Sequence, residues 1–421
     1  MPNLVTLLYY FWKLFLSSAM EILKEIQIQS MAFVFTGLRM AGNIPKILRP
    51  GSSVEMKLRE HPPDCLSDPM LGRHLYLKIK GTKYHYVESG SRRHDMILCL
   101  HDFSDFWYGW RKQLRGLSGS YWVVAPDLKG FGDSEKPFLA TNYKDDVILE
   151  ELRLFIEILQ DSSERKVVII GHGLGGHIAW KLLERYPNLF SKFVSISTPH
   201  PNVWLKNMMK SWRSVFENRW FYECRVPFLP ERALLGNDLE VIDKRFKKSG
   251  SVMDLSSYSN FDKEAYKYTF SRREDWQGPV NYFRNLPLTQ TSCKGVEKQV
   301  VDIDTLFLVG NLDPKVSLEM VSQSAEYVSR FAVKIVNMAG NAPHQEQPDS
   351  VNQMIAQFVK GSKCADRKTK SCSNQTNINL RSLQNWTWSL TNLITGRDRV
   401  GKLAGDMSYM SKWSSMIKLV K

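Results

Sequence analysis

The sequence predicts an α/β protein: a mostly parallel eight-stranded sheet with a helical cap inserted after the sixth strand. Three observations predict it. Short apolar, β-branched runs alternate with segments of helical period from about Arg73 onward. The alternation stops between Pro199 and about Cys293, in a block rich in aromatic residues (Trp204, Trp212, Trp220, Phe221, Tyr222, Phe228). It then resumes with two more strands. Strands separated by helices call for parallel neighbours joined by right-handed crossovers.

At the N-terminus, Leu4 to Leu23 is an apolar run of 20 residues, interrupted by Lys13. Thr6, Lys13, Ser17, Glu21 and Lys24 fall on one narrow helical face. The run is long enough to cross a bilayer. It makes a poor secretory signal, because no basic residue precedes it and no small-residue cleavage site follows. Residues 1–50 are therefore expected to be a membrane anchor or in-plane helix; the other reading is a helix packed on the protein's own core. A second weak apolar stretch, Met31 to Leu38, extends the same contact.

Two antiparallel strands are predicted at Leu75–Lys80 and Tyr84–Val87, then a buried strand at Met96–Leu100. Strands at Trp122–Pro126, Lys166–Ile170 and Phe193–Ser197 complete the first part of the core, residues 73–198. The cap spans 199–295. The second part of the core, 296–360, holds strands near Thr305–Val309 and Val333–Val336. Residues 361–421 read as a basic, low-order tail with a weak helical pattern from Trp413 to Val420.

A hydrophobic fraction of 43% and an aromatic fraction of 12% fit a large core. The formal charge of +14 belongs mainly to the ends: residues 361–421 carry eleven Lys/Arg against three Asp. Residues 51–360 hold only a small positive excess, which argues against nucleic acid as a partner of the core and fits basic flanks on an anionic membrane surface. Six cysteines show no CxxC or His/Cys spacing that suggests a metal, and no cofactor is implied. Cys99 sits in a predicted strand; Cys364 and Cys372 are near enough for a local bridge, with free thiols the expected state.

The run Val167–Ile170 leads into Gly171-His172-Gly173-Leu174-Gly175-Gly176 and then an apolar helical segment from His177. Strand, Gly-X-Nuc-X-Gly turn and helix form the nucleophile elbow of the α/β-hydrolase fold, which holds its central residue at positive φ. Here that residue is Gly173, which adopts the geometry most readily and carries no reacting group.

Further motifs stand in one order at consistent spacing. They are Arg59-Glu60-His61-Pro62-Pro63, Phe106-Trp107-Tyr108 with Trp110-Arg111, and Asp127-Leu128-Lys129-Gly130-Phe131-Gly132-Asp133-Ser134. Pro199-His200-Pro201-Asn202-Val203, Gly278-Pro279-Val280-Asn281 and Gln347-Pro348-Asp349 follow. With the elbow, they resemble the epoxide hydrolase branch of the α/β-hydrolases over about residues 59–358, most closely the membrane-associated vertebrate type. An endoplasmic reticulum location is the matching expectation.

The resemblance implies a two-step reaction. An elbow Asp attacks the epoxide while two cap Tyr hydroxyls bond the departing oxygen, and a His–Asp pair then activates water to cleave the ester. The nucleophile slot falls on Gly173, the acid slot on Asp313 and the base slot on Asn341. His344, three residues on, is a possible substitute base. The first cap Tyr slot falls on Trp220, a slip of two bringing in Tyr222; the second falls on Phe283. The oxyanion-hole amides would belong to Phe103 and Leu174. The His-Gly-X-Pro motif reads His101-Asp102-Phe103-Ser104.

Nucleophile, base and ring-opening donors are thus altered together. The resulting expectation is a pseudoenzyme that binds an apolar small molecule, a lipid or a protein partner at a membrane. A divergent hydrolase of epoxides or lipid esters using relocated residues is the alternative, and a purely structural membrane protein the third reading. Asp313 has a plain reading as a cap for the helix that follows it. Asp102 reads either as a loop residue bonding backbone amides or as a relocated nucleophile. His172 reads as a satisfied loop histidine. The cap aromatics read as core packing or as a ligand pocket. The sequons Asn374-Gln375-Thr376 and Asn385-Trp386-Thr387 carry meaning only if the tail is lumenal.

Overall fold

The computed structural model describes residues 4–47, 57, 59–160, 165–247, 260–288 and 299–361. The tail pattern, the sequons, Cys293, Cys364, Cys372 and the last residues of the cap lie outside the described residues. Eight strands form one sheet: β1 (Arg73–Ile79), β2 (Thr82–Ser89), β3 (Met96–Leu100), β4 (Trp122–Pro126), β5 (Val167–His172), β6 (Phe190–Ile196), β7 (Val301–Gly310) and β8 (Val328–Val336). Their order is β1-β2-β4-β3-β5-β6-β7-β8. Only β2 runs against its neighbours; every other pairing is parallel. The central strands β3, β4 and β5 are buried throughout. That is why they read as unbroken apolar runs.

The outer strands are longer than their apolar patches. In β8 Val328 and Val336 are buried, Phe331 and Val333 half-buried, and Arg330 and Lys334 exposed. Charges on an exposed edge block pairing with other chains, and they also dilute the apolar signal that marks a strand.

Helices α1 (Leu4–Ile47), α2 (Arg111–Leu117), α3 (Asp145–Gln160) and α4 (Gly173–Arg185) precede the cap. The cap comprises α5 (Pro201–Met208), α6 (Trp212–Glu217), α7 (Trp220–Glu223), α8 (Leu229–Lys247), α9 (Asn260–Thr269) and α10 (Glu274–Arg284). Helix α8 is interrupted at residues 236–239. Helices α11 (Leu318–Ser324), α12 (Pro343–Glu346) and α13 (Pro348–Lys360) follow.

The two apolar N-terminal stretches are one helix of 44 residues, about 66 Å long at 1.5 Å per residue. Ile28, Ala32 and Phe35 form a buried stripe on α1 that packs on Leu205, Met208, Val215 and Tyr222 of the cap. Arg39 pairs with the buried Glu223 at 2.8 Å. So α1 packs on the protein itself between Ile28 and Arg39. Its first half does not: Tyr9, Tyr10, Phe11, Trp12, Leu14, Phe15 and Leu16 are all exposed. Among the described residues, no helix is long and apolar enough to cross a membrane.

Several motif residues join cap to sheet. Gly130 in the loop after β4 meets Gly278 on α10 so closely that a Cβ on Gly130 would fall 2.7 Å from the Gly278 Cα. Tyr282 donates its hydroxyl to the Lys129 carbonyl at 3.1 Å, and Asn281 donates to the Phe138 carbonyl at 3.2 Å. Asp127 accepts from the amides of Trp107 and Asp133 and bonds His85 at 2.7 Å. The contacts of Gly278, Asn281 and Tyr282 fix where the cap sits over the carboxyl ends of the strands, and those of Asp127 brace the loops beneath.

Candidate active site

Strand β5 ends at His172, and α4 begins at Gly173 with φ +53°. The Gly173 N–H donates to Thr198 Oγ1 at 2.7 Å. The chain makes the sharp strand-to-helix turn of an elbow, with Gly173 at its tip.

The loop after β3 meets that tip. His101 is fully buried and accepts the Leu128 N–H at Nε2, 3.0 Å away, which leaves Nδ1–H to donate to the Asp102 carbonyl at 2.9 Å. Burial holds this imidazole below its usual pKa, consistent with the neutral form. Pinned in this way, Asp102 points its side chain at the elbow. Its Oδ1 accepts the Leu174 N–H at 2.8 Å. A Cβ built on Gly173 would lie 1.8 Å from that oxygen and 2.6 Å from Oδ2. The Asp102 carboxylate therefore fills the space that an elbow side chain would enter. Burial works to raise the Asp102 pKa, but His172, Lys315, Arg245 and the Leu174 amide together outweigh it, and the carboxyl is held below its ordinary value.

Asp313 and Asn341 meet beyond β7 and β8. Asn341 Nδ2 donates to Asp313 Oδ2 at 3.1 Å, and Lys315 Nζ donates to Asn341 Oδ1 at 3.1 Å. Asp313 Oδ1 accepts the Lys315 N–H at 2.8 Å. Asp313 does not cap the next helix, which corrects the plain reading of that residue: α11 is capped by Ser317, whose hydroxyl accepts the Met320 N–H. The Asn341 carbonyl accepts from His172 Nε2 at 2.8 Å, which ties this pair back to the elbow.

A family described as the alpha/beta hydrolase fold matches residues 95–348. Human "Epoxide hydrolase 4" is 34% identical over 348 residues, 80% of this chain and 94% of the relative. "Epoxide hydrolase 3" of Xenopus tropicalis is 30% identical over 340 residues, 78% of this chain and 91% of that protein. Among solved structures, a Bacillus megaterium epoxide hydrolase bound to an inhibitor superposes with a TM-score of 0.59 at 26% identity. It covers 68% of this chain and 99% of its own. The chain is an epoxide-hydrolase-like α/β-hydrolase.

In this epoxide-hydrolase-like protein the substitute base His344 does not stand beside Asp313. It is buried on α12, with its ring centroid 4.4 Å from Trp110 and 4.7 Å from His172. Burial depresses its pKa well below the usual histidine value. The position next to Asp313 belongs to Asn341.

The cap slots divide. Phe283 reaches the site, 4.7 Å from Phe103 between ring centroids. Trp220 turns its ring to Arg39 of α1, and Tyr222 is buried against Phe35. The cap ring that meets Phe283 is instead Phe221, at 5.1 Å. From Phe221 the contacts continue to Trp204 at 5.0 Å and from Trp204 to His177 at 4.9 Å. Phe103, Phe283, Phe221, Trp204 and His177 thus form a chain of partly exposed rings. It begins one residue after Asp102 and ends one helical turn after Gly173. Burial pushes the His177 pKa down to about 3, so the whole arc is uncharged near neutral pH.

Asp105, His172 and His344 bring ligand-type atoms within 4.8 Å of one another. His172 Nδ1 and His344 Nδ1 are buried without a hydrogen-bond partner among the described residues, whereas the Asp105 carboxylate is already committed. Asp105 accepts from the Phe106 N–H, Tyr266 hydroxyl, Arg245 Nη2 and Gln345 Nε2, at 2.6 to 2.9 Å. A divalent ion would displace those donors and face the Arg245 guanidinium.

The sequence offered Phe221 only as one of several cap aromatics for core or pocket, and gave His177 no role. Their signal was position: one neighbours an assigned slot, and the other follows the elbow by one turn, on the face the elbow presents.

Proposed function

We propose that this epoxide-hydrolase-like chain binds an apolar small molecule or lipid at a membrane, without the multiple-turnover hydrolysis that its relatives' names describe. The endoplasmic reticulum is the proposed location. The observation that carries this reading is Asn341 beside Asp313. An amide there accepts and donates hydrogen bonds but has no lone pair basic enough to take a proton from water. Gly173 and Phe283 support it, one without a carboxylate and the other without a hydroxyl. The uncharged arc of rings supports an apolar ligand, because aromatic walls with few polar groups are the usual lining of such pockets.

Membrane association rests on α1. Residues 9–16 are apolar on almost every face and exposed, and a helix apolar all round needs a non-aqueous surrounding. The test uses the purified full chain with styrene oxide and a fatty-acid epoxide, and mass spectrometry of copurified lipid. Diol formation far below about 1 s⁻¹, the low end of ordinary enzymes, is expected, together with a retained apolar ligand. Steady turnover of an epoxide or lipid ester above that rate would overturn the reading in favour of a divergent hydrolase.

A further inference from the structure

The carboxylates of this domain differ in how they are held. Asp105 receives four donors, Asp127 is bonded through both oxygens, and Glu346 takes the Gly340 and Ala342 amides on its two oxygens. Each is spent on structure. Asp102 is held on one side only: Oδ1 accepts the Leu174 amide, while Oδ2 accepts no hydrogen bond among the described residues. The residue is only partly buried, and neither oxygen is sealed off unpaired.

This carboxylate rests on the Leu174 N–H in the first turn of α4, in the volume a Gly173 side chain would enter. It stands at one end of the arc of rings, where the apolar part of a ligand would lie. The backbone on both sides is fixed, since the Asp102 carbonyl accepts from His101 Nδ1 and from the Asp105 N–H. A group fixed in this manner does not have to be ordered before it reacts.

We propose that Asp102 is the nucleophile of this site and takes up an epoxide as a covalent ester. The proposal rests on the reading of the pocket as an apolar site without turnover, and it names the group that would react there. An Oδ2 lone pair forms a bond to one epoxide carbon. The bond from that carbon to the ring oxygen breaks with its electron pair on the oxygen. The alkoxide takes a proton from water, leaving hydroxide to the solvent. Oδ1, as the ester carbonyl oxygen, keeps the Leu174 amide. Phe283 offers no hydroxyl to the departing oxygen, so the step is slow. Asn341 cannot activate water toward the ester, so the adduct stays. Low pKa favours the reactive ionised form across the neutral range.

The experiment incubates the full chain with excess styrene oxide and follows intact mass and peptide maps, with an apolar fluorescent probe reporting pocket occupancy. One added epoxide mass on Asp102 is expected, absent in Asp102→Asn. That variant keeps the shape and an oxygen for the Leu174 amide, and its thermal melt checks its fold. In the double variant Asp102→Gly/Gly173→Asp the adduct should move to position 173. No adduct on Asp102 in a protein that binds the probe would overturn this inference and leave the pocket reading intact. Multiple-turnover diol production that disappears in Asp102→Asn would keep the nucleophile and overturn the absence of turnover. Diol production untouched by Asp102→Asn would overturn both.

Discussion

Gly173→Ala should destabilise the domain, although adding a Cβ to glycine at an ordinary position stabilises by about 0.4–1 kcal/mol through the unfolded chain. Two terms set the size. Gly173 has φ +53°, and a non-glycine residue there costs roughly 1–3 kcal/mol. The new Cβ would also lie 1.8 Å from Asp102 Oδ1. Asp102 must then leave the Leu174 amide, a displacement of the overpacking kind that costs about 1–3 kcal/mol. The sum is about 2–6 kcal/mol. The two terms separate in a double-mutant cycle, because Asp102→Gly removes the clash and leaves the backbone strain. Gly173→Ala on that background should cost only the strain, with a coupling of about 1–3 kcal/mol between the positions. Urea unfolding of the four proteins measures it. An Ala variant as stable as the parent would refute the left-handed elbow at 173. Additive effects would refute the contact with Asp102.

Asn341→His should convert a stable adduct into slow release. Asp313 already accepts from the Asn341 amide at 3.1 Å and would orient an imidazole, and a positioned base contributes typically 10²–10⁴-fold; hydrolysis of the Asp102 ester, followed by mass, is the readout. Asp275 is buried on α10, and burial, opposed by Lys136, raises its carboxyl to about 6. Its folded-state pKa lies above the unfolded one, so its contribution is fully present below about pH 4 and is lost as pH rises through 6. Relative to Asp275→Asn, the parent should therefore gain up to about 3 kcal/mol between pH 7 and pH 4, read from urea midpoints. Trp12→Glu/Phe15→Glu should release the chain from anionic vesicles in a flotation assay, each acidic side chain costing about 2.5–3.5 kcal/mol at depth.

How much of this was legible depended on whether a residue's role is local. The elbow was readable because Val167–Ile170, the glycines and the helix that follows are contiguous, and the structure places Gly173 at positive φ as that pattern requires. The sheet was readable in its central strands, where burial on both faces leaves uninterrupted apolar runs. It was less so in β7 and β8, where Asp302, Asp304, Arg330 and Lys334 interrupt the pattern. The single long helix α1 was read as two stretches, because its contact residues Ile28, Ala32 and Phe35 form a stripe one residue wide. The cap slots depended on which side of a short helix faces the sheet. Trp220, Phe221 and Tyr222 are consecutive on α7 and point to Arg39, Phe283 and Phe35 in turn. No count along the chain distinguishes them.

Asp102 and Gly173 are the clearest case of a relation that sequence order hides. Each position taken alone is a departure from a motif: a carboxylate where the His-Gly-X-Pro loop has glycine, and a glycine where the elbow has its reacting residue. Read separately, they are two losses. In the structure they are one arrangement, because the loop after β3 and the turn after β5 are adjacent strands' ends in a parallel sheet. The Cβ removed at 173 is the space occupied from 102, and neither side chain fits without the other's change. The Leu174 amide has an anionic partner in Asp102. The support behind that carboxylate comes from the Asp102 backbone, whose carbonyl accepts from His101 Nδ1 and the Asp105 N–H. The neighbouring replacements have no such partner. Among the described residues, the side chain that bonds Asp313 Oδ2 is the Asn341 amide, and Phe283 packs on the rings of Phe103 and Phe221. On the proposed reading, a site that keeps its anion and lacks the groups that would complete a cycle would hold a ligand, covalently or not, longer than it would turn it over.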